Sequence, residues 1–331
     1  MRYLLVDTAN MFFRARHIAA RGSDTWSKLG LSLHITFNAL LKVHRLFNPD
    51  HVIFCLEARS WRKDFKNSYK RNRTEAREAM SSKEAEEDKL FWETYDVFTK
   101  FLNEHTNCSV VRIERAEADD VIARWIDLHP MDEHVIASTD SDFYQLLQPN
   151  VKIYNGVTNQ IITLDGYFDD KMQPVKDKKT KEHKTVGDPA FILFEKCMRG
   201  DPTDNVMSAY PGVRTKGTAK KVGLTEAFAD KDRKGFAWNN MMLQRWTDHE
   251  GVEHRVLDRY EENRTLIDLR AQPEDIKTAI DSQLMAIVPK RVPMVGAHFM
   301  KFCGKYELDR MNQSATQIAE ILGKSLPKEV A

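Results

Sequence analysis

Cysteine is scarce in this chain: Cys55, Cys108, Cys197 and Cys303 are the four among 331 residues. They lie far apart, forming neither a CxxC metal pair nor a disulfide framework, and they point to a reducing, cytoplasmic setting. No apolar run is long enough for a hydrophobic membrane span. The opening Met1–Asn10 turns polar at Asp7, too early for a signal peptide, and reads as a folded strand. Charge of one sign is not in excess, since 50 Lys and Arg stand against 49 Asp and Glu, a net of +1. That excludes a coat protein gripping a polyanion by total charge, while leaving room for local patches. Repeats of fixed period and long low-complexity runs are also absent.

What is present is apolar content, 42% with 10% aromatic, enough for a sizeable core without a metal or disulfide staple. Short β-rich runs each end in a polar cluster: 2–6 before Asp7, 51–56 before Glu57, 109–113 before Glu114 and Glu117, and 134–137 before Ser138 to Asp142. A further run covers 151–154. Helical patterns lie between them at 31–47, 86–103, 119–128 and 142–147. This alternation predicts an α/β fold with a mostly parallel central sheet flanked by helices, and a hairpin near 155–160 adds an antiparallel edge. Residues 165–187 carry six lysines with little apolar content and read as a mobile loop. From Asp188 onward the patterns are helical, at 189–199, 218–229, 255–268 and 273–285. The expected organisation is an α/β domain over 1–185 and a smaller helical domain over 186–331.

The informative feature is where the acids fall. In an open parallel sheet, ligands bind outside the carboxyl ends of the strands. Asp7, Glu57, Asp140 and Asp142 stand there, and Glu117, Asp119 and Asp120 open the helix that follows another strand. Asp201 and Asp204 lie three residues apart, able to face one way in a helix-like turn. Each alone has a plain explanation, as an N-cap or a first-turn acid favoured by the helix dipole. Together, nine converging carboxylates cannot stay ionised without cations. Hard divalent ions with oxygen ligands, Mg²⁺ or Mn²⁺, resolve that conflict, and a pair of them can stabilise the attacking and leaving oxygens of a phosphodiester displacement.

Cations with interleaved aromatics follow Glu57: Arg59, Trp61, Arg62, Lys63, Phe65, Lys66, Tyr69, Lys70, Arg71 and Arg73, against the single acid Asp64. A solvated helical face is the plain explanation, yet this mixture also suits phosphates and flat bases. Acidity returns from Glu84 to Asp88, so 59–89 reads as a helical arch. A second basic element holds Gly212, Arg214, Lys216, Gly217, Thr218, Lys220 and Lys221. Gly and Thr opening a helix can cradle a phosphate through backbone N–H groups, here in a helix–loop–helix over about 190–229.

At these residues the sequence resembles the 5′-nuclease (flap endonuclease) superfamily, and within it the tailed-phage type known as phage-type ribonuclease H. The matching pieces are Val6–Asn10, Trp61–Phe65, Tyr69–Arg73, Glu117–Asp120, Ser138–Phe143 and Arg199–Asn205, in the family's order. The resemblance implies that Asp7, Glu57, Glu117, Asp119, Asp120 and Asp140 hold a first metal, and that Asp142, Asp201 and Asp204 serve a second. It implies that Lys70 and Arg14 contact the scissile phosphate and that Tyr69 sits at the arch base. Glu57 stands where relatives usually carry Asp, and Gly212 and Gly217 depart from the family's Gly-x-Gly spacing, where K⁺ binds. The implied function is metal-dependent 5′→3′ exonuclease and flap endonuclease action on RNA primers and 5′ flaps during DNA replication. Implied partners are DNA, RNA–DNA duplex and a phage single-strand DNA-binding protein, with the chain acting as a monomer in the host cytoplasm. Two rivals fit parts of the pattern. An aspartyl-nucleophile phosphatase wants a second acid two residues after the nucleophile, where Ala9 stands. A junction-binding protein without catalysis gains nothing from acids near phosphates.

Overall fold

A computed structural model describes Met1–Ala19 and Thr25–Pro327. The chain divides into two compact units: Met1–Ser60 with Ala79–Val186 and Glu274–Ala331, and Trp61–Glu78 with Gly187–Pro273.

The first unit is built on a sheet of seven strands: β1 (Arg2–Asp7), β2 (His51–Leu56), β3 (Ser109–Arg112), β4 (Glu133–Ala137), β5 (Val151–Asn155), β6 (Gln160–Thr163) and β7 (Gly166–Phe168). Their order is β3-β2-β1-β4-β5-β6-β7. The first five are parallel neighbours, and β6 and β7 add antiparallel pairs, as expected of the hairpin. Strands β1 and β2 are apolar along their length because helices cover both faces of a parallel sheet. The chain builds outward from β1 to β3 and then returns to the other side of β1, so the strand order reverses between β1 and β4, where open α/β sheets leave a crevice.

One face of the sheet carries the large aromatic core. Phe12, Phe37, Phe98 and Phe101 pack there with Phe299, Phe302 and Cys303. Phe37 meets Phe299 edge-on with ring centroids 5.0 Å apart. The helices Thr8–Ala19, Thr25–Phe47, Ser82–His105 and Val295–Lys305 supply these side chains. On the other face lies the helix Ala118–Leu128, whose Trp125 meets Tyr3 of β1 at 5.2 Å. Arg124 on that helix grips both carboxylate oxygens of Asp281 at 2.8 Å, tying on the helix Glu274–Met285.

The second unit is mostly helical. The helices Pro189–Arg199, Leu224–Ala229, Phe236–Met242 and Val256–Ile267 enclose Phe194, Met198, Leu224, Trp238 and Met241. A small hairpin pairs Arg245–Thr247 with Glu253–Arg255.

The units part near Val186, and two segments group away from their sequence neighbours. Residues 274 onward join the first unit because Phe299 and Phe302 complete its aromatic core. Residues 61–78 join the second because buried Tyr69 clusters with Cys197, Val206 and Leu266. The helix expected over 218–229 begins only at Leu224. Residues 165–187 are not a bare loop but an ordered extension of the sheet edge. Among the described residues, no helix is long and apolar enough to cross a membrane.

Phe299→Ala tests the placement of the C-terminal helices. Removing a fully buried ring should lower the unfolding free energy by about 3–5 kcal/mol, read by urea denaturation of the first unit. A loss under about 1 kcal/mol would contradict this packing.

Candidate metal centre and nucleic-acid face

In the first unit, β1 ends on the buried Asp7. Its register partner in β2 is Cys55, two residues before Glu57. On the other side Val6 faces Ala137, the last residue of β4, and the chain continues through Ser138 to Asp140 and Asp142. Ser138 joins these acids: its hydroxyl donates to Asp7 Oδ2 at 2.8 Å and accepts from the Asp140 N–H at 3.1 Å. Asn10 makes a second tie. Its N–H donates to Asp7 Oδ1 at 3.2 Å, and its side-chain oxygen accepts from the N–H and hydroxyl of Thr139 at 3.1 and 3.0 Å.

A second group forms where the helix Ala118–Leu128 begins. The Ala118 N–H donates to Glu57 Oε2 at 3.4 Å, and the Ser60 hydroxyl to Glu117 Oε2 at 2.9 Å. Asp120 Oδ2 accepts from the Glu117 N–H at 3.1 Å. Asp119 shares this first turn, where the positive end of the helix dipole favours acids. Asp140 likewise caps the short 3₁₀ turn Ser141–Leu146 by accepting from the Asp142 N–H at 2.9 Å. A cap uses only part of a carboxylate's lone pairs, so Asp120 and Asp140 keep acceptor capacity beyond these bonds.

The two groups share one electrostatic field. The Cys55 thiol, wholly buried beneath them, has its pKa pushed well up, by burial first and then by the charges of Asp7, Asp119 and Glu57. Burial also pushes up the Tyr95 phenol, with Glu57 adding to it. Among the described residues, no three His, Cys, Asp or Glu side chains form a ready ligand cluster. The donors are all carboxylate oxygens, which fit hard divalent ions. Arg14 is half-buried in the same unit beside Tyr154, where burial lowers its pKa. Its guanidinium lies so close over Gly156 that any side chain there would collide with it.

In the second unit, Asp201 and Asp204 bracket a tight 3₁₀ turn. Burial alone would raise the Asp201 carboxyl. The hydrogen bonds from Lys196, 2.7 Å away, and from Thr203 outweigh it and hold the pKa below the usual range. Asp204 is ringed by the arch base: the Tyr69 hydroxyl donates to it at 3.0 Å, Lys70 Nζ stands at 3.6 Å and Arg73 at 2.5 Å. The backbone is stitched there as well. The Lys70 N–H donates to the Asp204 carbonyl at 2.9 Å, and Asn205 donates to the Ser68 carbonyl at 2.7 Å. Lys70 takes a left-handed conformation, φ 54°, which a non-glycine residue adopts only under such constraint.

The structure removes Arg62 from the expected nucleic-acid contacts. It is buried, stacks on Trp61 and donates to the Leu266 carbonyl at 2.8 Å, so it serves the fold. Lys66 is paired with Glu262, and Arg71 with Glu75 at 2.9 Å. Arg59, Arg71 and Arg73 are exposed and Lys63 is half-buried. In the loop 200–223, Arg214, Lys216, Thr218, Lys220 and Lys221 are exposed, and Gly212 has φ 73°. The Gly217 and Gly223 N–H groups converge on the Glu226 carboxylate at 3.0 and 2.9 Å, an arrangement suited to an anion.

Sequence reasoning missed Ser138, Asn10 and Ser60 as the groups that hold the acids. The signal was a hydroxyl or amide residue beside each acidic strand end. Carboxylates at the switch point of a parallel sheet suit hard divalent ions, and the exposed cations of the helical unit suit phosphates, which fits the class of metal-dependent enzymes acting on phosphate esters.

Comparison with known proteins narrows that class. Residues 2–179 match the family described as 5′-3′ exonuclease, N-terminal resolvase-like domain. The chain is 31% identical over 242 residues to flap endonuclease Xni of Shewanella loihica, covering 71% of this chain and 82% of that protein. It is 28% identical over 278 residues to ribonuclease H of Enterobacteria phage T4, covering 76% and 77%. The phage T5 5′-exonuclease, solved with zinc bound, superposes with a TM-score of 0.60 at 18% identity, over 87% of this chain and 99% of that one. The chain belongs to the 5′-3′ exonuclease family and is a metal-dependent 5′-nuclease.

Ser138→Ala should leave Asp7 and the Asp140 N–H each short of a partner and lower stability by about 1–3 kcal/mol, measured by denaturant unfolding without divalent ions. An unchanged midpoint would show that the hydroxyl does not hold the two acids.

Proposed function

We propose that the chain hydrolyses phosphodiesters at 5′ ends and 5′ flaps, removing RNA primers and displaced strands during DNA replication. The supporting observation is Ser138, whose hydroxyl donates to the Asp7 carboxylate and accepts from the Asp140 N–H, joining the ends of two parallel strands at the switch point. Asp7, Glu57, Glu117, Asp119, Asp120 and Asp140 would hold one Mg²⁺, with Mn²⁺ able to substitute, and Asp142 would serve a second. Asp201 and Asp204 enter this reading on their sequence pattern alone. Bound divalent ions would supply a water of lowered pKa and neutralise the leaving 3′-oxygen.

The chain's own groups do the remaining work. Asp7 is oriented through both oxygens, by Ser138 and by the Asn10 N–H, so its position is fixed before substrate arrives. Lys70 and Arg14 are assigned to the charge that gathers on the phosphate in the transition state. Tyr69 and Arg73 hold Asp204 beside Lys70. The exposed cations Arg59, Arg71 and Arg73, with Arg214, Lys216, Lys220 and Lys221, contact phosphates without reading sequence. A K⁺ ion at the helix–loop–helix enters this reading on the family resemblance alone. The flap activity carried by the name of the Shewanella relative and the ribonuclease H activity carried by that of the phage T4 relative both accord with this substrate range. Action as a monomer in the cytoplasm, beside a single-strand DNA-binding protein, completes the proposal.

Asp140→Asn tests it cleanly, since Asn caps a helix as well as Asp does and the fold should survive. Cleavage of end-labelled 5′-flap DNA in Mg²⁺ should fall by at least about 10²-fold. Cleavage at the wild-type rate would sink the assignment.

A further inference from the structure

The lysine-rich stretch after β7 is built rather than loose. Phe168 pairs with Pro174 and Lys176 with His183, both antiparallel. The Val175 N–H donates to the Tyr167 carbonyl at 2.8 Å, and the Tyr167 N–H to the Lys184 carbonyl at 2.9 Å. Gly166 permits this, because the Lys184 carbonyl and the His183 ring pass where a side chain at 166 would sit. Lys184 lies over the Tyr167 ring, 3.7 Å from its centroid.

The tip of this hairpin is a tight turn around Asp177. Its carboxylate accepts from the N–H groups of Lys179 and Thr180 at 2.8 and 3.0 Å, and its carbonyl accepts from the Lys181 N–H at 3.0 Å. Those backbone bonds hold the Asp177 pKa below the usual range. Asp169 is spent in the same way on Lys171 and Gln173, and Asp170 faces Lys42 at 3.9 Å. The acids of the segment are thus turned to backbone or to a neighbouring cation, apart from Glu182. Lys176, Lys178, Lys179 and Lys181 are exposed, and among the described residues no carboxylate pairs with them.

From these observations we infer that the 176–181 tip is a second, pre-formed contact for the phosphate backbone of a duplex arm, outside the catalytic edge. The register places it. Strand β7 runs parallel to β5, since two antiparallel steps separate them, and 174–176 runs back against β7. The tip therefore points toward the edge where the parallel strands begin, opposite to Asp7 and Asp140. Counting residue levels and strand spacings puts it on the order of 20–30 Å from Asp7, or about 6–9 base pairs of duplex. A lysine there adds affinity without touching chemistry. A rigid turn suits this role because its ordering entropy is already spent before binding. The inference rests on the nuclease reading for its substrate but not for its geometry.

The test is a variant with Lys178→Gln, Lys179→Gln and Lys181→Gln, compared with the same lysines changed to Arg. Binding to a catalytically protected 5′-flap substrate with a duplex arm of about 20 base pairs is followed from low to high salt. The Gln variant should show a log K against log salt slope shallower by about 2–3, near 0.9 per lost phosphate contact. The Arg variant should keep the wild-type slope, and kcat at saturating substrate should stay unchanged in both. With the arm cut to about 5 base pairs, wild type and Gln variant should bind alike. Equal slopes on the long arm would overturn the inference, as would an equal loss on the short arm. A wild type that binds with the lysine-dependent slope yet cuts nothing would keep this surface and overturn the nuclease reading instead.

Discussion

Carboxylates gathered at one edge of a low-dielectric sheet repel one another, and the first unit is arranged to withstand that repulsion. Asp7 comes to the edge because β1 is the central parallel strand. Glu57 and Asp140 follow because their strands flank it on either side. Each acid is then steadied by a short-range donor: Ser138 and Asn10 for Asp7, Ser60 for Glu117, and the Ala118 N–H for Glu57.

The second unit treats its acids differently. Asp201 is paired with Lys196, and Asp204 is enclosed by Tyr69, Lys70 and Arg73. The base of the arch and the 201–205 turn are consequently one folded piece, held by backbone as well as side-chain bonds. Lys70 owes its left-handed backbone to that stitching, since its N–H must reach the Asp204 carbonyl. The cationic segment after Glu57 is therefore two things at once. Trp61, Arg62 and Tyr69 are core, while Arg59, Arg71 and Arg73 face solvent.

Much of this was legible in the sequence, for identifiable reasons. Parallel strands covered on both faces read as unbroken apolar runs, so β1 and β2 stand where the runs at 2–6 and 51–56 put them. The helix Pro189–Arg199 announces itself through Asp188 as cap and Pro at its start. What stayed illegible depends on partners distant in sequence. Nothing local says that Phe299 completes a core begun by Phe12 and Phe37. Arg62 looks like any surface cation until the Leu266 carbonyl, some two hundred residues on, claims it. The order in 165–187 comes from backbone pairing across Gly166, which composition does not record. At the site, the acids were visible one by one, whereas Ser138 as their link appears only when β1 and β4 lie side by side.

All four thiols are buried. Cys55 is held far above the normal range by its surroundings, while burial brings Cys108 to about 12 and Cys303 to about 11. Since the thiolate is the reactive form, an alkylating reagent finds nothing to attack while the native structure persists. Each sulfur becomes modifiable only when its neighbourhood opens. Cys55, Cys108 and Cys303 would report the sheet unit and Cys197 the helical one, so the chain carries internal clocks for breathing in both halves without any introduced label.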